Sequence, residues 1–514
     1  MPRILPALAP GLAFLVAIAP VVSLWSQNAE AVTARSLAVP FMLTVLPTAG
    51  ALLVLRLLTA DYIRSTLSLS LVWLPLLTFG YQVDGFEALL SAAPDSLRWP
   101  LLAANVAAAG VFIATVWRAP FSLRPVAEYG TLLALIFIVL SVPGIIRGGV
   151  SIDATADRPS VAWDVAVTSR ELPDVYYIVL DGYARGDVLA ELYGYDNSRF
   201  LRGLEDRGFF VADESFSNYA VTPLSIASGL GMRYVDDAAE ALVEGHHDPF
   251  VQLIHEPEIA LRLRELGYRY VHLNSLWHAT ASAPLADVTY GLGGLSSEFE
   301  LVFFRTTLPG RFASAPGWHE SHLHTLEKLR EIPGFEAPTF TFAHMLIPHP
   351  PYVFDSEGNV LSHEGSFVGG WEQPHRYVEQ LEFLNAKLEE LVGTLLTESE
   401  TPPIIIIQAD HGPAMTIEDR LGRGLELNET AYWERMAILN AYLVPPDVRP
   451  ALYPSITPVN SFRLLLREHY GQDIDLLADR SYFSRWGNPP EVPREAVELR
   501  DVTDTIRTRS ADAP

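Results

Sequence analysis

The sequence predicts an α/β protein in two parts. A bundle of about five membrane-spanning helices over residues 1–150 precedes a large domain with a mostly parallel central sheet over 174–500. Two observations support this. Five long apolar segments fill the first 150 residues, and from residue 174 strand-like apolar runs alternate with helical patterns. Residues 151–173 are polar and mixed, which predicts a linker, and the polar residues 501–514 are predicted to be a disordered tail.

The five apolar segments each approach or exceed the roughly 18–20 residues that a bilayer core requires; they are 4–25, 37–58, 65–81, 99–117 and 129–146. With alternating spans, one side of the membrane receives five arginines, Arg3, Arg56, Arg64, Arg118 and Arg124. The other side receives three, Arg35, Arg98 and Arg147. The bias predicts a cytoplasmic N-terminus, and an odd number of spans then places the α/β domain outside. If 65–81 did not cross, the orientation would invert.

Charge and cysteine content exclude several classes of function. Residues 151–514 carry 28 basic and 55 acidic residues, a balance that argues against a nucleic-acid partner. The chain has no cysteine, which excludes disulfides, thiolate metal ligands and a cysteine nucleophile.

The elements of the α/β domain follow from short apolar runs and helical periodicity. Strands are predicted at 175–180, 208–211, 268–273, 338–345, 403–408 and 436–444. Helices are predicted at 200–207, 258–266, 375–396 and 461–470. About 340 residues is ordinary for one wide α/β sheet with insertions.

The stretch from Asp174 to Met232 contains the first candidate site. A buried strand ends on Asp181, and the carboxyl ends of strands are where open α/β sheets place their ligands. Thr222 followed by Pro223 predicts a helix that begins with Thr222 as N-cap, and helix N-termini bind anions. We therefore expect Asp181 to hold a metal and Thr222 to be a nucleophile beside it.

A second apolar strand ends on Asp410 and His411, followed by Gly-Pro. With Asp181 these side chains would form a mixed oxygen and nitrogen site for one divalent metal, Zn²⁺ or Mn²⁺. Such a metal makes a poor nucleophile such as the hydroxyl of Thr222 usable, with Thr222 as a further ligand. The alternative for Asp410 is an Asx turn that caps the next segment.

Two histidines flank the end of the predicted strand 338–345. His349 lies between prolines, and a titratable donor held there suits substrate binding or proton transfer. His344 has two interpretations, a substrate-binding residue or a hydrogen-bonded histidine within the strand. The histidines at 319, 322 and 324 are expected on a solvated helix face.

Together these motifs resemble the sulfatase-like branch of the alkaline phosphatase superfamily. The order is strand–Asp181, Thr222 at a helix start, His349-Pro-Pro-Tyr and strand–Asp410-His411-Gly. The resemblance is greatest to membrane-anchored phosphotransferases of the lipoteichoic acid synthase and phosphoethanolamine transferase types. It implies that Asp181, Asp410 and His411 bind metal, that Thr222 is phosphorylated, and that His349 contacts the substrate headgroup. It also implies a membrane phospholipid donor and an envelope glycan or glycolipid acceptor.

The chain departs from these families in ways that affect the prediction. The relatives often have Glu where this chain has Asp181. True sulfatases carry Cys or Ser in a motif that also contains Arg, whereas Ser225 here lacks that Arg. Ser225 is the fallback nucleophile because it lies one turn from Thr222.

Three functions stay open. The first is a phosphotransferase of a bacterial-type inner membrane, with a periplasmic catalytic domain. The second is a membrane-anchored phosphodiesterase or phosphatase with water as acceptor. The third is a non-catalytic, membrane-anchored interaction module.

Overall fold

The computed structural model describes residues 11–28, 32, 34–90, 94–148, 172–236, 248–292, 298–312, 317–361, 370–485 and 498–511. The chain divides into two compact units. One contains 1–157 together with 295–317, and the other contains 158–294 together with 318–514. Most of the predicted linker, 151–171, lies outside the described residues.

The first unit contains five successive apolar helices, one for each predicted span. They are α1 (Leu12–Gln27), α2 (Ala34–Thr59), α3 (Tyr62–Leu90), α4 (Pro94–Arg118) and α5 (Arg124–Gly148). Helices α2 to α5 are long and apolar enough to cross a membrane, and the described part of α1 is shorter. The segment 65–81 lies within a helix of 29 residues. Leucines such as Leu57, Leu133 and Leu140 face outward, as expected for helices surrounded by lipid.

Two short helices from the middle of the chain belong to the same unit. They are α11 (Glu298–Thr306) and α12 (Leu308–Phe312). Phe299 and Phe303 of α11 are buried in a cluster with Trp73 and Leu77 of α3. The described residues 298–312 therefore pack with the apolar helices, whereas the predicted domain 174–500 assigned them to the α/β part.

The second unit is built on a seven-stranded sheet in the order β2-β7-β6-β1-β5-β3-β4. The strands are β1 (Val175–Leu180), β2 (Phe210–Val211), β3 (Arg269–Leu273), β4 (Val288–Tyr290), β5 (Thr339–Met345), β6 (Ile404–Ala409) and β7 (Asn440–Leu443). Strands β6, β1, β5, β3 and β4 run parallel. Near one edge, β7 runs antiparallel to both of its neighbours, β6 and the edge strand β2. The predicted fold class, apolar helices followed by an α/β domain with a mostly parallel sheet, is confirmed.

The register of the three central strands positions the site. Leu180 of β1 pairs with Met345 of β5 and with Ala409 of β6. Every residue of these three strands is buried, as expected for parallel strands covered on both faces. Because the strands end side by side, the residues that follow them meet at one edge of the sheet.

Helices cover both faces of the sheet and connect its strands. They are α6 (Gly186–Tyr193), α7 (Ser198–Glu205), α8 (Thr222–Gly231), α9 (Asp248–His255), α10 (Glu258–Glu265), α13 (Trp318–Glu331), α14 (Pro374–Glu398), α15 (Met415–Gly422), α16 (Glu429–Met436) and α17 (Pro458–Glu468). The predicted helices match α7, α10, α14 and α17 within a few residues. The last predicted strand is shorter than 436–444, because Met436 still belongs to α16.

The chain after residue 500 is folded, so the predicted disorder of 501–514 is wrong for its described part. Strands β8 (Tyr482–Phe483) and β9 (Arg500–Asp501) pair, and α18 (Thr503–Ala511) follows. Val502 and Ile506 are buried, and the guanidinium of Arg509 lies over the ring of Trp433. Two apolar anchors and a cation–π contact hold a segment whose composition is otherwise polar.

Candidate active site

Asp181 follows β1 directly and is held by its backbone. Its N–H donates to the carbonyl of Met345, and its carbonyl accepts from the N–H of His349. The side chain is buried, with Oδ1 3.7 Å from Nε2 of His411 and Oδ2 3.7 Å from Nε2 of His344. The carboxylate therefore lies between two imidazoles.

Asp410 and His411 follow β6 at the same edge of the sheet. Oδ1 of Asp410 accepts from the N–H groups of Gly182 (3.1 Å) and His411 (2.8 Å). Its Oδ2 lies 3.2 Å from Nε2 of His411. Nδ1 of His411 lies 3.0 Å from the carbonyl of Gly412 and must donate to it, because a carbonyl only accepts. Nε2 of His411 is therefore an unprotonated nitrogen that faces the two carboxylates.

These three side chains fit a divalent metal. One ligand atom from each of Asp181, Asp410 and His411 lies within 4.8 Å of the others. Within the described part of the chain, Oδ1 of Asp181 and Oδ2 of Asp410 are buried without a hydrogen-bond partner. Buried carboxylate oxygens without partners are costly unless a cation binds them. Two oxygens and one imidazole nitrogen suit Zn²⁺ or Mn²⁺.

Thr222 supplies a hydroxyl at this centre. Its Oγ1 lies 2.9 Å from Nε2 of His411 and, since that nitrogen is unprotonated, donates to it. The helix α8 begins at Thr222 with Val221 as N-cap, so the prediction that Thr222 caps the helix is wrong by one position. As the first helical residue, Thr222 makes no capping bond, and its hydroxyl faces the candidate metal ligands.

Ser225, the fallback nucleophile, lies one turn along α8 and is bonded to backbone. Its hydroxyl donates to the carbonyl of Asp410 at 2.6 Å and lies 3.2 Å from the hydroxyl of Ser217. The Ser217 hydroxyl also donates to the Asp410 carbonyl. These bonds hold the end of β6, which the two predicted ligands Asp410 and His411 follow directly.

The two predicted substrate-binding histidines both lie beside Asp181. Nδ1 of His349 donates to the carbonyl of Pro350, and its ring packs edge-on against Trp371 at 4.9 Å. His344, in β5, is fully buried, and its Nδ1 lies 2.8 Å from Oγ1 of Thr280. The structure thus brings together all six predicted side chains, Asp181, Thr222, His344, His349, Asp410 and His411.

The electrostatics of the centre suit the binding of a cation. Burial opposes the charge on Asp181, but the imidazoles of His349, His344 and His411 outweigh it and lower the pKa of Asp181. Burial and the charge of Asp181 raise the pKa of Asp410 well above its usual range. Burial and the charge of Arg435 lower the pKa of His411, which keeps this ring neutral and able to bind a metal.

This arrangement predicts that stabilisation by metal increases with pH. A raised pKa means that folding favours protonated Asp410, so the metal-free protein loses this contribution to stability as pH rises through the folded-state pKa. A metal needs the carboxylate and releases that proton. We expect the rise in Tm caused by Zn²⁺ to grow between about pH 5 and pH 8, above the ordinary Asp pKa of about 4. Thermal unfolding of the full chain with and without Zn²⁺ measures it, and a rise in Tm that shrinks with pH would contradict it.

Sequence analysis missed two further residues of the centre. Arg435 is a half-buried cation whose Nε donates to the carbonyl of Ala220 and whose Nη1 donates to that of Gly412. It connects the segment before Thr222 to the turn after His411. His322 of α13 is buried rather than on a solvated face; burial and neighbouring His319 lower its pKa to about 3. Neither residue could be identified from the local sequence, because Arg435 is an isolated arginine and His322 lies in a helix of polar composition.

The turn after His411 requires glycine. A Cβ on Gly412 would lie 2.1 Å from the carbonyl oxygen of Glu434. We expect Gly412→Ala to destabilise the protein by about 1–3 kcal/mol, because backbone must move to make room. The matched control is Gly393→Ala in α14, where a Cβ meets nothing within 4 Å and helix propensity predicts a gain of up to about 1 kcal/mol. Thermal unfolding of both variants checks the opposite signs, and equal Tm values would contradict the prediction.

Comparison with known proteins gives no family model that matches the chain and no match among curated proteins. Solved structures do match. The C-terminal periplasmic domain of EcEptC from Escherichia coli, in complex with Zn, is 13% identical, with 67% of this chain and 96% of that chain covered and a TM-score of 0.44. The C-terminal periplasmic domain of the phosphoethanolamine transferase EptC from Campylobacter jejuni is 11% identical, with coverage of 60% and 92% and a TM-score of 0.35. The phosphonate monoester hydrolase of Agrobacterium radiobacter is 12% identical, with coverage of 64% and 86% and a TM-score of 0.39.

At these identities and TM-scores, the likeness assigns no activity to this chain. The fold and the site themselves define the chain as an α/β protein with apolar N-terminal helices, a candidate divalent-metal centre and a hydroxyl group beside it.

Proposed function

We propose that this protein is a membrane-anchored, metal-dependent phosphotransferase. It takes a phospho-headgroup of the phosphoglycerol or phosphoethanolamine type from a phospholipid onto Thr222 and then passes it to a hydroxyl of an envelope glycan or glycolipid. One observation carries the proposal. Oγ1 of Thr222 lies 2.9 Å from Nε2 of His411, the nitrogen that faces the carboxylates of Asp181 and Asp410.

The metal ligands and the nucleophile suit phosphoryl transfer. Asp181, Asp410 and His411 would hold one Zn²⁺ or Mn²⁺, with Thr222 as a further ligand. The bound ion would supply the positive charge that favours the alkoxide of Thr222. Without cysteine, the chain has no thiol that could act in place of this hydroxyl.

In the first step, the alkoxide oxygen of Thr222 forms a bond to the phosphorus of the lipid. The bond between phosphorus and the diacylglycerol oxygen breaks, and that oxygen takes a proton from the imidazolium of His349. The products are diacylglycerol and a Thr222 phosphodiester. Arg435 adds positive charge near the carboxylates while the phosphate is bound.

In the second step, the acceptor hydroxyl gives its proton to His349, and its oxygen forms a bond to phosphorus. The bond between phosphorus and Oγ1 of Thr222 breaks, which restores the alkoxide. Water in place of the glycan hydroxyl would make the same protein a phosphodiesterase.

The location follows from the apolar helices. In the described part of the chain, four helices are long and apolar enough to cross a membrane, and they would anchor the chain beside phospholipids. The arginine bias predicts that the second unit lies outside the cytoplasm. A periplasmic catalytic unit on a bacterial inner membrane would reach both a lipid donor and an envelope acceptor.

The test uses the full chain in two sets of vesicles, one rich in phosphatidylethanolamine and one in phosphatidylglycerol, with Zn²⁺ or Mn²⁺ added. We expect at least one diacylglycerol per protein from one of these lipids, and none after chelation. Absence of diacylglycerol from both lipids with metal-loaded protein would overturn the proposal.

The same assay separates transfer from hydrolysis. A transferase stops near one diacylglycerol per protein until a glycolipid with free hydroxyls is added, because the first headgroup stays on Thr222. A hydrolase continues without the glycolipid and releases free headgroup to water.

A further inference from the structure

The segment after β3 encloses His344. Oγ1 of Thr280 lies 2.8 Å from Nδ1 of His344, and Oγ of Ser275 lies 2.7 Å from Oγ1 of Thr280. The ring of Trp277 packs edge-on against the His344 ring, with centroids 5.6 Å apart. Side chains from one short segment thus contact the imidazole both at a nitrogen and through an aromatic ring.

The backbone of this segment is tightly constrained. Leu276 has φ of 68°, an uncommon conformation for a residue other than glycine. Its N–H donates to Oδ1 of Asn274 at 2.6 Å, and the N–H of Trp277 donates to Oγ of Ser275 at 3.1 Å. The carbonyl of Thr280 accepts from Nε2 of His272 at 3.0 Å. Backbone strain of this kind persists where surrounding contacts enforce it and is concentrated at functional sites.

We assign the hydroxyl protons of Ser275 and Thr280 so that the buried hydroxyl of Ser275 has an acceptor, because buried polar groups are hydrogen-bonded. Oγ of Ser275 already accepts from the N–H of Trp277, and among the described residues Thr280 is the remaining partner to which the Ser275 hydroxyl can donate. The hydroxyl of Thr280 therefore accepts from Ser275 and donates to Nδ1 of His344. The proton of the neutral His344 ring is then on Nε2, 3.7 Å from Oδ2 of Asp181.

We infer that Thr280 is a positioning residue of the metal centre: its hydroxyl orients the His344 ring so that Nε2–H faces Asp181. Nε2 of His344 lies 3.7 Å from one oxygen of the Asp181 carboxylate, and the other oxygen of that carboxylate faces His411. Hydrogen-bonded partners behind metal ligands fix the ligand orientation and change affinity by roughly 10- to 100-fold when removed. The inference rests on the metal centre of the proposed function but not on the group that is transferred.

The test measures Zn²⁺ affinity of the full chain in detergent by competition with a chelator of known affinity. Thr280→Val keeps the shape of the side chain and removes the hydroxyl, and we expect it to bind Zn²⁺ about 10-fold more weakly. Thr280→Ser restores the hydroxyl and is expected to bind within about twofold of wild type. Zn²⁺ affinity of Thr280→Val equal to wild type, or Thr280→Ser as weak as Thr280→Val, would overturn the inference.

A double-mutant cycle separates positioning from a general loss of packing. Since Thr280 acts through His344, Thr280→Val should have no further effect on Zn²⁺ affinity in the His344→Ala background. Additive losses would show that Thr280 acts by another route. If the protein binds Zn²⁺ normally and the double-mutant cycle gives the expected result, but no diacylglycerol forms, the proposed function is overturned and the role of Thr280 is not.

A spectroscopic measurement tests the proton arrangement directly. In metal-free full chain labelled with ¹⁵N-histidine, with the His344 signals identified by their loss in His344→Gln, we expect a protonated Nε2 and an unprotonated Nδ1. The opposite tautomer would contradict the donor role of Thr280.

Discussion

Thr222→Ala is expected to lower the rate of diacylglycerol formation by at least about 10³-fold, which is about 4 kcal/mol of transition-state stabilisation. The reason is geometric. The hydroxyl of Thr222 faces the predicted ligands, with Oγ1 2.9 Å from Nε2 of His411, whereas that of Ser225 is bonded to the carbonyl of Asp410. Thr222→Ala leaves the three candidate ligands Asp181, Asp410 and His411 in place, so Zn²⁺ should still bind without Thr222 as its further ligand.

Three further variants make this result specific. Thr222→Ser keeps a hydroxyl and should retain part of the activity. Ser225→Ala should keep the covalent intermediate, since it removes a hydrogen bond worth about 1 kcal/mol rather than the nucleophile. Ser228→Ala in the same helix, where the hydroxyl donates to the carbonyl of Arg233, controls for the loss of a buried serine. If Thr222→Ala keeps full diacylglycerol formation, or if only Ser225→Ala loses it, the nucleophile is a group other than Thr222.

Asp410→Asn is expected to abolish stoichiometric metal binding without weakening the metal-free fold. The amide oxygen of the substituted side chain can accept the same two hydrogen bonds that Oδ1 of Asp410 accepts, from the N–H groups of Gly182 and His411. The substitution removes the carboxylate charge of Asp410, which both burial and the nearby charge of Asp181 disfavour. At pH 8 the metal-free variant should therefore unfold at the same temperature as wild type or at a higher one. Zn²⁺ should no longer raise that temperature.

The matched control for this variant is Asp174→Asn. Asp174 lies just before β1, at the opposite end of the strand, where Oδ1 accepts from the N–H and hydroxyl of Thr339. It should keep one metal per protein. Metal content by elemental analysis and Tm with and without Zn²⁺ decide the outcome. One tightly bound metal in Asp410→Asn would show that the ligand set is different.

Much of the site could be predicted from the sequence because its ligands follow apolar strands. The run before Asp181 and the isoleucines before Asp410 are short, apolar throughout and end on polar residues, a pattern that identifies buried parallel strands and their carboxyl ends. Thr222 was also predictable, because a following proline fixes the start of a helix. Whether Thr222 caps the helix or is its first residue was not predictable, because sequence patterns do not define helix ends to within one residue.

The parts that could not be predicted depend on contacts distant in sequence. Arg435 reaches the site because α16 packs beside the turn at Gly412, and Thr280 does so because β3 neighbours β5 in the sheet. The buried aromatic residues of 295–317 give the same local pattern whether they are buried in the α/β unit or among the membrane helices. Likewise, α18 is polar apart from a few anchors, so its order depends on partners elsewhere in the chain.

The most direct test of the central claim is to locate the covalent intermediate. Full chain, loaded with Zn²⁺ or Mn²⁺ and incubated with the phospholipid that yields diacylglycerol, is quenched in acid, digested and analysed by fragment-ion mass spectrometry. The structure predicts one added phosphoethanolamine or phosphoglycerol group, on Thr222, which is absent after chelation. The same group on Ser225, or an active metal-loaded protein that carries no group on Thr222, would contradict the account.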